Sequence, residues 1–241
     1  MSDAEVLDET ILELRNVGLC YRRDVSLMNR RGREFWALKD VSLRVRRGEA
    51  LGIIGKNGAG KSSLLRVLAG IISPDRGAYI NHGYRATLLS LQVGFDRRLS
   101  GRENVMLSGL LLGLAKSEIV ARMEEIIAFS ELEEFIDQPI QTYSSGMRAR
   151  LGFATAFYVR PDVLLIDEVL GVGDAAFVEK SKARMRERIR SDTTVLVSHN
   201  AAAITELCDR AVWLHQGEVR GEGGAVEVME DYLAAVKPRS Q

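Results

Sequence analysis

Hydrophobic and polar residues follow two spacings along this chain, one of period two and one helical, in separate stretches. Ile11 to Val17 reads as a strand, and Val41, Leu43 and Val45 alternate with Ser42, Arg44 and Arg46 as in a half-buried strand. Arg47-Gly48-Glu49 makes a turn, and Ala50-Leu51-Gly52-Ile53-Ile54 then reads as a strand buried on both faces, because it is short and wholly apolar. Residues 163–166 and 193–197 have the same character, and residues 211–214 open a hairpin through Gln216-Gly217. Helical spacing begins after Lys61, with Leu64, Leu65 and Leu68 on one face, and ends near Gly70, before Pro74-Asp75-Arg76-Gly77. From about Gly94 to Val159 the pattern is strongly helical; Pro161 ends that block, and a last helix spans 225–236. These elements predict an α/β protein: strand–loop–helix units around a parallel sheet, with a helical insertion. Residues 1–10 are expected to be a flexible N-terminus and 11–241 a single domain, with a β-rich core of 11–92 and 155–241 and a helical subdomain of about 93–154.

Composition narrows the function classes. Hydrophobic residues make up 46% and charged residues 27% of the 241, as in a well-cored globular protein. Thirty-three basic residues balance thirty-three acidic ones, so the field expected of a dedicated nucleic-acid binder is absent. Cys20 and Cys208 have neither metal-ligand spacing nor scaffold density and read as plain thiols. The start of the chain carries no secretory signal pattern, and the longest apolar run, from Val105 to Ala115, is far short of the ~20 residues that span a bilayer. Any membrane connection is therefore expected to run through a partner. Residues 22–36 hold Arg22, Arg23, Arg30, Arg31 and Arg33, either a solvated loop or an interaction surface.

The chemistry concentrates at strand ends. Gly55-Lys56-Asn57-Gly58-Ala59-Gly60-Lys61-Ser62 fits the phosphate-loop pattern between a buried strand and a helix. Its glycines let consecutive backbone N–H groups turn toward an anion, Lys61 would reach the terminal phosphates of a nucleoside triphosphate, and the Ser62 hydroxyl would sit on Mg²⁺. The apolar strand 163–166 runs into Asp167 and Glu168. There Asp167 would help to hold Mg²⁺ and Glu168 would act as the general base for water. His199 closes the next strand, either as a structural residue or as a γ-phosphate sensor.

Together these residues resemble the nucleotide-binding subunits of ABC transporters. Tyr143-Ser144-Ser145-Gly146-Met147 occupies the place of that family's signature motif, Gln92 that of its glutamine loop, Gly171–Asp174 that of its interface loop, and His199 that of its switch histidine. The resemblance implies a P-loop NTPase fold, with a RecA-like core, an antiparallel β subdomain and an inserted helical subdomain. It also implies a homodimer that binds ATP and Mg²⁺. Each ATP would lie between residues 55–63 of one copy, through Ser63, and Ser144, Ser145 and Gly146 of the other. Gln92 would join Ser62 and Asp167 at the metal, and an upstream aromatic, Tyr21 or alternatively Trp36, would stack on adenine. Tyr143, Ser145 and Met147 depart from the commonest signature, and Gly171-Val172-Gly173 from the commonest interface loop. With residues 34–42, Gly94-Phe95 and Leu99-Ser100-Gly101-Arg102-Glu103-Asn104, those departures resemble the ATPases that export O-antigen, teichoic acid or capsule-like glycans.

That subgroup implies an ABC-2-type membrane permease as partner and a lipid-linked glycan as cargo. It places the chain peripherally, on the cytoplasmic face of the bacterial inner membrane, with no nucleic-acid partner. Permease docking is expected around Phe95, Arg102 and Glu103. Some members carry a C-terminal carbohydrate-recognition domain; with the chain ending at Gln241, none is expected here. The alternatives are an ATPase of another ABC exporter, a soluble ABC protein and a P-loop kinase; the last requires neither the signature motif nor Gln92.

Overall fold

A computed structural model describes residues 9–22, 34–168 and 174–236. The basic stretch at 23–33 and Gly171, Val172 and Gly173 of the expected interface loop lie outside the described residues, as do residues 1–8. The chain divides into two compact units, one within 1–88, 162–168 and 189–241, the other within 89–161 and 169–188.

In the first unit, strands β1 (Thr10–Arg22), β2 (Glu34–Arg46) and β4 (Arg76–Asn81) form an antiparallel sheet ordered β2-β1-β4. The other strands are β3 (Ala50–Ile54), β5 (Ala86–Leu89), β6 (Val163–Asp167), β7 (Thr194–Val197), β8 (Arg210–His215) and β9 (Glu218–Gly224). They form a sheet ordered β5-β6-β7-β3-β8-β9. Strand β3 runs parallel to β7 and β8, and β6 runs parallel to β7, so the C-terminal ends of these four strands share one edge. Only apolar side chains can occupy a strand covered on both faces, and every residue of β3 is buried. The core joins Leu12, Leu14, Leu43 and Val45 of the antiparallel sheet to Leu51, Ile53, Leu165 and Val195 of the parallel one. Leu64, Leu65 and Leu68 of helix α1 (Lys61–Leu68) complete it.

The second unit holds α2 (Gly101–Leu111), α3 (Lys116–Ser130), α4 (Ser145–Phe157) and most of α5 (Ala175–Ser191). Helices α6 (Ala201–Leu207) and α7 (Ala225–Val236) belong to the first unit. Four rings form the centre of the helical unit: Phe129 stacks on Phe153 and Phe157 at 6.0 and 5.5 Å, and Phe177 meets Phe129 and Phe153 edge-on. Phe177 lies on α5, and the buried Arg188 guanidinium, also on α5, donates to the carbonyls of Phe157 and Val159. Helix α5 through Arg188 and residues 155–161 therefore cluster with the helical unit, which is larger than the expected 93–154. Strands β4 and β5 and helices α5 and α6 were not anticipated; β4 starts at Arg76, inside a segment read as a turn. No helix among the described residues is long and apolar enough to cross a membrane.

One charged residue interrupts the buried run of β1. Glu13 is only 6% exposed, directly opposite Arg44 on β2. Arg15 and Arg44 donate to its two carboxylate oxygens at 2.6 and 2.9 Å. The Arg15 and Arg44 hydrogen bonds hold its pKa at about 2, against an ordinary 4.5. A carboxyl whose folded pKa is lowered adds stability above its unfolded pKa and loses it as pH falls through the folded one. Urea melts between pH 5 and 2 should therefore show the parent losing more stability than Glu13→Gln as pH falls from about 4.5 toward about 2.

Candidate functional site

The shared strand edge collects the predicted chemistry. A cavity of about 510 Å³ is lined by Phe35, Ala37, Asn57, Gly58, Gly60, Lys61, Ser62, Ser63, Asp167, Glu168 and His199, a size common for small-molecule sites. Gly60 caps α1 with φ 107° and no side-chain cap, so the first-turn N–H groups are left to an external acceptor. The loop cannot be rebuilt with side chains: a Cβ on Gly60 would fall 2.4 Å from the Ala37 carbonyl oxygen, and one on Gly55 2.2 Å from that of Leu214. Lys61 is 7% exposed, and its Nζ donates to the carbonyls of Gly55 and Lys56 at 2.8 and 3.2 Å. Two of its three donors are thus used within the loop. Burial lowers the Lys61 pKa, with Glu168 and then Asp167 acting in the opposite direction.

Asp167 ends β6, and Glu168 follows in a left-handed backbone conformation, φ 58°, its N–H bound to the Val197 carbonyl. A non-glycine residue there is uncommon and marks a constrained position. His199 Nε2 lies 2.7 Å from Glu168 Oε1, so the residues following β6 and β7 meet over the cavity.

The residues present suit a nucleotide and its metal. A glycine loop before an uncapped helix start matches an anion, and the Ser62 hydroxyl and Asp167 carboxylate supply hard oxygen donors. Among the described residues no group of three or more His, Cys, Asp or Glu forms a cage for a metal. One or two protein oxygens are what Mg²⁺ requires when phosphates and water complete its shell.

The expected aromatic residues lie as follows. Tyr21 does not line the cavity: it is half-buried against the core, with its hydroxyl 3.3 Å from Ser63 Oγ. The alternative, Trp36, stacks under the Arg76 guanidinium at 4.3 Å and packs on Gly18. Phe35, 55% exposed, is the aromatic ring at the cavity among the described residues. Its place on β2 beside Ala37, which also lines the cavity and whose carbonyl abuts Gly60, is fixed by a register that shifts at this point and so carries no sequence signal.

In the helical unit, Gln92 is exposed in a turn with φ 62°. Gly152 of α4 lets that turn lie flush: a Cβ there would be 2.9 Å from Gln92 N and Cγ. Ser144 caps α4, its hydroxyl accepting from Met147 N at 3.1 Å, and Ser144 and Ser145 are exposed. Among the described residues, a Cβ on Gly146 would meet only Ser144 Oγ, at 3.7 Å. Tyr143 is buried, and its hydroxyl donates to the Phe135 carbonyl at 2.6 Å. Burial, with a smaller contribution from Asp137, pushes its pKa up to about 12. Gly101, the first residue of α2, faces that hydroxyl: a Cβ would lie 2.4 Å from Tyr143 Oη and 2.9 Å from Ile136 O.

Residues 38–171 match the ABC transporter family. The chain belongs to that family. It is 47% identical over 207 residues to the O-antigen export system ATP-binding protein RfbB of Klebsiella pneumoniae, covering 86% of this chain and 84% of that one. It is 46% identical to the teichoic acids export ATP-binding protein TagH of Lactococcus lactis, over 83% of this chain but 43% of that longer protein. A solved ATP-binding subunit of an ABC transporter superposes with TM-score 0.71 at 25% identity, over 92% of this chain and 93% of that one. The cassette is thus an ATPase of P-loop fold, with a parallel sheet, an antiparallel sheet and a helical unit.

The Gly101–Tyr143 contact generates a test within the helical unit. Gly101→Ala should destabilise the chain by about 1–3 kcal/mol through overpacking. Adding Tyr143→Leu should recover part of that loss, because the Ile136 carbonyl remains in the way. Denaturant melts of the parent, the two single variants and the double variant measure the coupling.

Proposed function

We propose that this chain is the ATP-hydrolysing subunit of an exporter that moves a lipid-linked glycan of O-antigen or teichoic-acid type through a separate ABC-2-type permease. Convergence of the phosphate loop, Asp167, Glu168 and His199 on one cavity carries the ATPase chemistry. The export direction and the cargo class rest on the relatives named for O-antigen and teichoic acid export.

In this reading Phe35 stacks on adenine, and the N–H groups of residues 55–63 and the Lys61 ammonium hold the phosphates. Ser62 and Asp167 would hold Mg²⁺, which would offset the charge of the terminal phosphates. Glu168 orients the attacking water and takes its proton; His199, with Nε2 2.7 Å from Glu168 Oε1, keeps that carboxylate aimed. Two copies pair, and each offers the exposed Ser144 and Ser145 hydroxyls and the open space at Gly146 to the ATP held by the other. The room at Gly146 among the described residues supports this arrangement. Closing on ATP and opening on hydrolysis is the two-state motion that a permease can follow.

The permease would dock on the groove between α2 and α3. Its volume is about 470 Å³; Met106, Val120 and Met123 are apolar, with Arg102, Glu103, Lys116 and Glu124 around them. Arg102 and Glu103 also have internal duties. Arg102 bridges Glu124 and Asp137, and Glu103 completes the capping box of Ser100. Substitution at Val120, which is 57% exposed, therefore tests docking with least damage to the fold. The chain would act peripherally on the cytoplasmic face of the bacterial inner membrane.

Glu168→Gln should bind ATP normally and lower turnover by about 10²-fold or more. The ATP-bound form should accumulate as a dimer on size-exclusion chromatography, and surface glycan should disappear from cells that express it. Unchanged turnover would remove Glu168 as base. Val120→Glu should weaken co-purification with the permease while the isolated chain keeps its melting temperature; unaltered co-purification would exclude the α2–α3 groove.

A further inference from the structure

A second charged cavity lies at the opposite end of the parallel strands. It encloses about 430 Å³, and its lining includes Glu13, Arg15, Arg44, Arg46, Arg210 and Glu222. It adjoins the starts of β3 and β8, where Arg210 bonds Glu49 at 2.8 Å. The phosphate loop follows the far end of β3, five residues along, or roughly 15 Å away. A ligand here would leave the nucleotide cavity free.

Glu13 gives this cavity a built character. Its buried carboxylate takes one bond from Arg15 Nη2 and one from Arg44 Nε. Each guanidinium carries five N–H donors in a fixed plane, so most of them remain available. The Arg15 and Arg44 side chains are 62% and 64% exposed, so the two forks are anchored at one end and open to solvent at the other. An ion pair with so exposed a cation contributes only modestly to stability. What it does supply is orientation: two planar cations fixed side by side on adjacent strands. Arg210 is partly spent, since Glu49 and Glu222 bind it. The four arginines still outnumber the two carboxylates of the lining. Forked donors held in this way match the oxygens of a phosphate group.

We propose that this cavity is a phosphate-binding site, separate from the ATP site, in which Arg15 and Arg44 grip the phosphate of a soluble phosphate ester or of an anionic lipid headgroup. The full-length chain carrying Lys61→Ala, which silences the phosphate loop, tests it independently of the ATPase reading. One arm titrates inorganic phosphate by calorimetry. The other measures co-sedimentation with phosphatidylglycerol vesicles against phosphatidylcholine vesicles. Arg15→Lys with Arg44→Lys keeps both charges and the partners of Glu13 but removes the fork, and should weaken the binding seen in either arm about tenfold. Binding of free phosphate assigns a soluble ester; binding of phosphatidylglycerol vesicles alone assigns a headgroup. Equal binding by the lysine variant and its parent, or no binding in either arm, would overturn the site.

Discussion

The Lys61 ammonium is held by two carbonyl oxygens of the loop that precedes it, in a place buried enough to depress its pKa. A buried cation is tolerable only when fixed dipoles or opposite charges surround it. Here the loop wraps the lysine, and the Asp167 and Glu168 carboxylates favour its charged form. Wrapping that tightly brings Gly60 against the Ala37 carbonyl of β2 and Gly55 against the Leu214 carbonyl of β8. The shape of the loop therefore depends on both sheets of the first unit. The catalytic geometry and the hydrophobic core are in this respect one problem.

The helical unit solves a different one. Its signature segment begins at Tyr143, where the resemblance leads one to expect leucine, and the extra hydroxyl bonds the Phe135 carbonyl. That ring occupies space that a side chain on Gly101 would need, so the start of α2 and the cap of α4 are set by a single contact. The helix facing the proposed permease groove and the serines proposed to meet ATP are thus mechanically adjacent within one unit.

Much of the architecture was legible because its signals are local. A wholly apolar five-residue stretch before a glycine loop can only be a covered strand, and β3 is one. Carboxylates ending an apolar run report the ligand edge of a parallel sheet, and Asp167 and Glu168 line the cavity there. Other features were hidden for physical reasons. Helix α5 is rich in charge and shows a buried face only once Phe177 meets Phe129 and Phe153, residues distant in sequence. Strand β4 is mostly exposed, so it has almost no apolar alternation to read. Choosing among Tyr21, Phe35 and Trp36 depends on strand register, in which a shift of one residue reverses the face. Glu13 carries no sequence signal, because its partner Arg44 faces it only across the strand pair.

The left-handed backbone of Glu168 carries a consequence for how this protein can change. Such a conformation suits glycine or asparagine better than a longer side chain. At that one position the most comfortable residue for folding and the residue proposed for chemistry are different. Selection for thermal robustness alone would drift toward a sturdy cassette that holds its nucleotide and does no work, so a glutamate that persists there is a mark of continued use.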